Sequence, residues 1–232
     1  MAVLDFGAQE YPPPELLTDC VAFLDRVRRY APGFDRTESG PQAALAAFLS
    51  SMERRAHLLP TAKREDAECE LKLIPLVPGG NTVVQQLSAF WPGSRPDRAW
   101  VLSPFFDDDQ HASTTAGAFA NLLTTRGDRW LTIVAPGRTL PDGTTQIDAP
   151  AALKKASHPS LRHEFSIVQQ RVEIEGKHED RPLHAKSVWL ERDGRALYML
   201  GSSNFTAAGL GLHSQHNMLR LCLLRSVWPY FV

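Results

Sequence analysis

Four polar residues form two pairs in the last quarter of the chain, and each pair has the spacing of side chains on one face of a strand. His184 and Lys186 are two residues apart at the start of one apolar run, and Ser202 and Asn204 are two apart at the end of the next. Strand side chains alternate between faces, so each pair is predicted to point to one side of its strand. An imidazole, an ammonium, a hydroxyl and an amide could together bind and attack a phosphate.

The segment between the two runs predicts that they fold back on each other. It contains Asp193-Gly194, and Asp-Gly is a strong signal for a two-residue hairpin turn. Pairing of the two strands would bring the two polar pairs together on one face. The alternative is an ordinary hairpin that carries scattered polar groups.

At these residues the sequence resembles the phospholipase D superfamily, whose signature is His-x-Lys, an acidic residue and then Gly-Ser-x-Asn. Here the signature reads His184-Ala-Lys186 and Gly201-Ser202-Ser203-Asn204. Glu191 stands where the family carries its Asp, and Asp193 is interpreted as a turn residue. The stretch between the two halves of the signature is longer than usual, which a longer hairpin would accommodate.

The resemblance implies hydrolysis of a phosphodiester through a phosphohistidine intermediate on His184. Lys186, Ser202 and Asn204 would hold the non-bridging oxygens, and a second histidine from a second copy of the motif would protonate the leaving oxygen. It implies no metal and no cofactor, because side chains would supply the positive charge. The candidate supporting residues are Glu191, Ser103, Ser203 and Asn217.

Only one His-x-Lys is present, although the chain has eight histidines. Catalysis would therefore need a second His-x-Lys-bearing half or a homodimer in which two such histidines meet. The strand-like run at residues 1–6 resembles the segment after the first motif in two-motif, tyrosyl-DNA phosphodiesterase-like relatives, so the chain is expected to begin midway through such a protein. Leu219 stands where relatives carry a Glu that orients the nucleophile. The alternative is a catalytically incomplete half-domain with a binding role, or a truncated product.

Composition narrows the class of protein. The 232 residues are 43% hydrophobic and can bury a core, while a net charge of −1 gives no global signature for nucleic acid. Three widely spaced cysteines fit a reducing cytosol, and no apolar run approaches the roughly 20 residues that span a bilayer. We predict a cytoplasmic protein without a transmembrane segment.

The substrate class follows from the resemblance rather than from the composition. Relatives with a Gly-Ser-x-Asn-Phe-Thr ending are often nucleases or DNA-end processing enzymes, which favours nucleic acid. A phospholipase D acting on lipid is the alternative, and it would need an interfacial amphipathic helix or an exposed aromatic loop. Phe105-Phe106 and the apolar end of the chain are the candidates for such a surface.

Periodicity predicts alternating helices and strands. The helices are expected at 14–29, 41–59, 81–90, 113–125 and 150–157, and the strands at 70–77, 98–106, 130–134, 165–174 and 218–224, in addition to the hairpin. This order predicts an α/β fold with a mixed β-sheet flanked by helices on both faces, and the resemblance makes it phospholipase D-like. Residues 1–68 are predicted to be a helical N-terminal region that is the linker from a missing first half, and 69–232 the phosphodiesterase domain.

Ligands of such sheets bind beyond the carboxyl ends of strands, which makes the connecting loops of interest. Ser103 follows the apolar run at 99–102 of a predicted buried strand, and of its segment we expect Ser103 to face the site. The aspartates at 107–109 either form an acidic rim or solvate the helix that follows. Residues 177–181 are interpreted as a solvated turn.

Overall fold

The computed structural model describes residues 13–30, 40–59, 69–155, 160–169, 171–174, 177–180, 182–213 and 220–227. Its contacts divide the chain into two compact units, Met1–Leu73 and Ile74–Val232. The first unit contains helices α1 (Pro14–Tyr30) and α2 (Pro41–Leu58). Both helices start at a proline, whose fixed φ suits a first turn.

The second unit carries most of the strands, and β1 crosses the boundary between the units. In chain order the elements are β1 (Cys69–Leu76), α3 (Val83–Phe90), β2 (Arg98–Leu102), α4 (Ala112–Ala120), β3 (Arg129–Thr139), β4 (Thr145–Ile147), a 3-10 helix (Ala151–Lys155), β5 (Leu161–Gln169), β6 (Arg171–Ile174), β7 (Lys177–Asp180), β8 (Ser187–Arg192), β9 (Arg195–Gly201) and β10 (Arg220–Val227).

The strands form a mixed sheet of eight strands in the order β1-β10-β9-β8-β2-β3-β4, with β5 also paired to β3. β2 and β5 run parallel to β3, whereas β8, β9 and β10 pair in antiparallel fashion. The predicted fold class, an α/β protein with a mixed sheet and helices, is confirmed. β6 and β7 form a separate two-stranded sheet.

Alternation along the central strands builds the core of the second unit. Ala99 and Val101 of β2 are buried at 0% and 1% exposure, and Leu131 and Ile133 of β3 are both at 0%. The inward residues of β8 and β9 belong to the same apolar cluster, as do the buried faces of α3 and α4. Burying one such side chain stabilises the fold by about 1.5–3 kcal/mol, so this face of the sheet holds the strands in register.

Several predicted boundaries differ from the structure. β2 ends at Leu102 rather than at residue 106, because the hydroxyl of Ser103 binds the backbone of Phe105 instead of letting the chain extend. α3 begins after Thr82, whose hydroxyl accepts a hydrogen bond from the Gln85 amide in a capping box. The predicted turn at 177–181 is wrong for residues 177–180, which pair with β6 as a strand. The strand-like run predicted at 1–6 and the end of the chain lie outside the described residues.

Among the residues that the structure describes, no helix has the length and apolar character needed to cross a bilayer.

Candidate functional site

The ends of four strands meet at one edge of the sheet. Leu102, the last residue of β2, pairs with Ser187, the first residue of β8. Ser187 in turn pairs with Leu200 near the end of β9, and Gly201 pairs with Cys222 near the start of β10. The segments that follow β2 and β9 and the segment that precedes β8 therefore lie side by side.

The predicted hairpin between the two motif segments, residues 184–186 and residues 201–204, is present. Arg192 pairs with Arg195, and the turn residues Asp193 and Gly194 have φ values of 50° and 74°. Positive φ at both central positions is the mark of a type I′ turn, which Asp-Gly favours. This confirms the interpretation of Asp193 as a turn residue.

The polar pairs lie just beyond the strands, not on them. β8 starts at Ser187, after His184 and Lys186, and β9 stops at Gly201, before Ser202. The Gly201 amide donates a hydrogen bond to the Lys186 carbonyl at 3.2 Å, so the two segments are adjacent. Strand alternation therefore does not fix the direction of these four side chains, because the regular ladder ends before it reaches them.

His184 and Lys186 form the first half of the site. The His184 side chain is exposed, and the Lys186 ammonium donates a hydrogen bond to the His184 carbonyl at 2.7 Å. The same ammonium lies 5.5 Å from the ring centroid of Phe105, which is 50% exposed in the loop after β2. A positive charge is thus held against the His184 backbone and beside an accessible aromatic ring.

The second half combines exposed and buried groups. Ser202 is exposed, whereas Ser203 is only 5% exposed and its hydroxyl accepts a hydrogen bond from the Cys222 thiol at 3.3 Å. Asn204 is half-buried, and its Oδ1 is buried without a hydrogen-bond partner among the described residues. A buried polar atom left unpaired costs about 1–3 kcal/mol. Rotating this amide by half a turn would direct its NH2 donors to the same place.

Ser103 joins the loop after β2 to the second motif segment. Its hydroxyl donates to the Phe105 carbonyl at 2.7 Å and accepts from the amides of Phe105 and Phe205 at 3.2 and 3.1 Å. One donor and two acceptor sites are all that a hydroxyl offers. With its side chain 1% exposed, Ser103 acts on the backbone rather than facing a substrate.

Asp107 is a neighbour of the motif that the sequence did not single out. Its Oδ2 accepts hydrogen bonds from the Thr115 hydroxyl at 2.6 Å and from the Ala207 amide at 2.7 Å. The aspartates at 107–109 do not act as one group, since each has its own partner. The one available signal was that Asp107 follows a buried strand and precedes a helix.

The two aspartates that follow have local roles. Asp108 accepts hydrogen bonds from the Gln110 amide and from His111, and the His111 side chain holds the pKa of this carboxyl below its ordinary value. Asp109 accepts from the Ala152 amide at 3.1 Å. Both therefore shape the loop and its connection to the 3-10 helix.

Among the described candidate supporting residues, Glu191 is not brought to this edge. Glu191 lies near the turn end of β8, and its carboxylate accepts a hydrogen bond from the Trp189 indole at 3.3 Å. At about 3.3 Å per residue it lies roughly 13 Å along the strand from Ser187. Asn217 lies outside the described residues.

Within the described part of the chain, no cluster of three or more His, Cys, Asp or Glu side chains is placed to hold a metal ion. A groove of about 550 Å³ lies between α1 and α2 in the first unit, lined by residues such as Val21, Leu49 and Glu53. None of the candidate site residues lines it.

Comparison with solved structures gives distant similarities. The chain is similar to yeast tyrosyl-DNA phosphodiesterase, with 13% sequence identity and a TM-score of 0.33, over 66% of this chain and 31% of that one. It is also similar to polyphosphate kinase from Porphyromonas gingivalis, with 10% identity and a TM-score of 0.34, over 67% of this chain and 21% of that one. The chain thus spans less than a third of either protein. No protein-family model and no curated protein matches the sequence.

Proposed function

We propose that this chain provides a phosphodiester-hydrolysing site in which His184 is the nucleophile and no metal takes part. The observation that supports it is the contact between the two motif segments, where the Gly201 amide binds the Lys186 carbonyl at 3.2 Å beside the exposed His184. An accessible imidazole, an ammonium on the same segment and an amide with an unpaired buried oxygen are groups that can serve an in-line displacement at phosphorus. In this proposal residues 69–232 carry the reaction.

The proposed reaction has two displacements. An imidazole nitrogen of His184 forms a bond to phosphorus while the bond to the leaving oxygen breaks, and that oxygen takes a proton from a second histidine. Water then attacks the phosphohistidine, the phosphorus–nitrogen bond breaks, and the second histidine takes the proton from the water. Lys186, Ser202 and Asn204 stabilise the charge on the non-bridging oxygens in both steps.

The second histidine comes from another His-x-Lys segment, because this chain contains only one. A second copy of the chain, or a separate half that bears the motif, would supply it. The alternative is that this chain alone is a catalytically incomplete half-domain with a binding role.

Nucleic acid is the favoured substrate in this proposal. Two features support it: the Gly-Ser-x-Asn-Phe-Thr ending at 201–206, and the half-exposed Phe105 ring beside the Lys186 ammonium. Bases stack on exposed aromatic rings with about 1–3 kcal/mol per base, while a nearby cation attracts the phosphate. Comparing cleavage of a single-stranded oligonucleotide with cleavage of phosphatidylcholine vesicles would distinguish this substrate from lipid.

The test is hydrolysis of a chromogenic bis-aryl phosphodiester in excess EDTA. His184→Ala should lower the rate by about 10⁶-fold, the order of loss seen when the nucleophile of a covalent mechanism is removed. His57→Ala is the matched control, because this histidine is exposed on α2 in the first unit. Equal activity of wild type and His184→Ala would refute the assignment of the nucleophile. Absence of activity in both would favour the incomplete half-domain.

A further inference from the structure

We infer that Asp107 is a positioning residue for the proposed reaction, and that it acts by fixing the chain that follows Asn204. The inference rests on the proposed function, because it concerns the orientation of a group assigned to the phosphate. The contacts that support it come from the loop after β2, which lies outside the motif.

Asn204 depends on its neighbours for its orientation. Its Oδ1 has no hydrogen-bond partner among the described residues, so the amide is not held at that atom. We therefore expect the position of this side chain to depend on how the backbone on either side is held. Ser203, immediately before it, is buried against Cys222.

Phe205 anchors the chain immediately after Asn204. Its side chain is 2% exposed, and its ring lies 5.0 Å from that of Phe119 and 6.0 Å from that of Phe106. Its amide donates to the Ser103 hydroxyl, and its backbone forms a parallel bridge with Phe106. The loop after β2 is thus the surface on which the motif segment rests.

Asp107 makes the second anchor from the same loop. One carboxylate oxygen accepts both the Ala207 amide at 2.7 Å and the hydroxyl of Thr115 at 2.6 Å. Thr115 is 0% exposed on α4, so the carboxylate ties the motif segment to a packed helix.

The chain held in this way closes back on Asn204. The Gly209 amide donates to the Thr206 hydroxyl at 2.9 Å, and the Leu210 amide donates to the Thr206 carbonyl at 2.9 Å. A Cβ added at Gly209 would overlap the Asn204 carbonyl oxygen. Because the turn packs directly on Asn204, releasing Ala207 should let the asparagine shift, and small displacements of a catalytic group are costly.

Two substitutions at Asp107 distinguish loss of its hydrogen-bond acceptor from loss of its negative charge. Asp107→Asn keeps an oxygen where Oδ2 lies, and Asp107→Ala removes it. With the bis-aryl substrate we expect kcat to fall about tenfold or more in Asp107→Ala, with KM changed little, and to stay near wild type in Asp107→Asn. Equal losses in both variants would overturn the inference and point to a role for the charge.

A double-mutant cycle with Asn204→Ala tests whether Asp107 acts through Asn204. If it does, adding Asp107→Ala to Asn204→Ala should lower kcat no further than Asn204→Ala alone. Multiplied losses would mean that Asp107 has only a general structural role, and would overturn the inference. If Asp107→Ala does not fold, Thr115→Val takes its place, since it removes one of the two hydrogen bonds and should give a smaller loss with the same non-additivity.

Hydrogen exchange tests the anchor without measuring activity, so it distinguishes failure of this inference from failure of the proposed function. In Asp107→Ala the peptide covering residues 203–209 should exchange faster than in wild type, and in Asp107→Asn it should not. Unchanged exchange in both variants would overturn the anchor whether or not the protein is active. An inactive wild type would refute the proposed function itself, and with it the role of Asp107 in catalysis, even where the exchange result shows the anchor.

Discussion

Gly201 shows how closely the second motif segment packs on the strand beside it. A Cβ added at this residue would lie 2.7 Å from the Cβ and 2.8 Å from the Cα of Cys222. Only a residue without a side chain therefore fits at the end of β9, immediately before Ser202. The glycine of the motif is a packing requirement as well as part of a signature.

Gly201→Ala should lower the free energy of unfolding by about 1–3 kcal/mol, the usual cost of overpacking, and should lower kcat because Ser202 must move. Urea unfolding measures the first effect and diester hydrolysis the second. Gly117→Ala on α4 is the control: an added Cβ there has nothing within 4 Å, and alanine should stabilise the helix by about 0.5–1 kcal/mol. A Gly201→Ala variant as stable as wild type would contradict the packing argument.

At the scale of elements, the part of the hairpin that affects stability is distant from the part that carries the candidate site. The turn at Asp193 and Gly194 and the motif residues lie at opposite ends of β8 and β9. A change at the turn should therefore weaken strand pairing without reaching the site.

Gly194→Ala should destabilise the protein by about 1–2 kcal/mol, because its φ of 74° is unfavourable for a side chain. Asp193→Asn should be nearly neutral, since asparagine tolerates positive φ. Neither variant should change kcat for the diester. Thermal unfolding and initial rates test this, and a large loss of kcat in Gly194→Ala without unfolding would show that the turn does influence the site.

Helix α1 carries an ion-pair cluster whose effect depends on pH. Asp25 accepts hydrogen bonds from Arg28 at 2.7 Å and from Arg29 at 2.7 Å, and the hydrogen bond with Arg28 is the largest cause that lowers the pKa of this carboxyl. A lowered pKa in the folded state contributes stability above the unfolded value, and this contribution is lost as the pH falls through the folded value.

Asp25→Asn should therefore lower the free energy of unfolding by about 0.5 kcal/mol at pH 7, a typical amount for an ion pair between neighbouring turns of one helix. The difference from wild type should shrink once the pH falls below the ordinary aspartate value of 3.8. Denaturant titrations at several pH values measure it, with Glu53→Gln on α2 as the charge control. A difference that is constant with pH would contradict the proposed pair.

At the scale of the whole molecule, one His-x-Lys in the chain makes the number of chains per site the central question. If two copies share one site through a two-fold axis, both must carry His184. Mixing wild type with an inactive variant would lower the activity of a shared site more than that of a site contained in one chain.

Mixing wild type with His184→Ala at constant total concentration, after the chains have exchanged, distinguishes these cases. In equal mixture a shared site should leave about one quarter of the activity, because only dimers with two intact histidines are active. Independent sites would leave about one half. The oligomeric state measured in parallel by sedimentation should show a dimer in the first case.

The sequence by itself determined the features that depend on local chemistry. The α1 and α2 ranges agree with the structure to within one residue, because amphipathic periodicity and an initial proline are local signals. The Asp193-Gly194 hairpin was predicted for the same reason, and so was the mixed α/β sheet. The residue types of the candidate site were visible because they lie close together along the chain.

Tertiary structure alone decided how those residues are held. Strand alternation could not show that the ladder stops at Ser187 and Gly201, because where a strand ends depends on the loops packed against it. Nor could it show that Asp107 binds the amide of Ala207, a residue 100 positions away. Such a contact has no local signal, since only the parallel and antiparallel order of β2, β8 and β9 brings the two loops to one edge of the sheet.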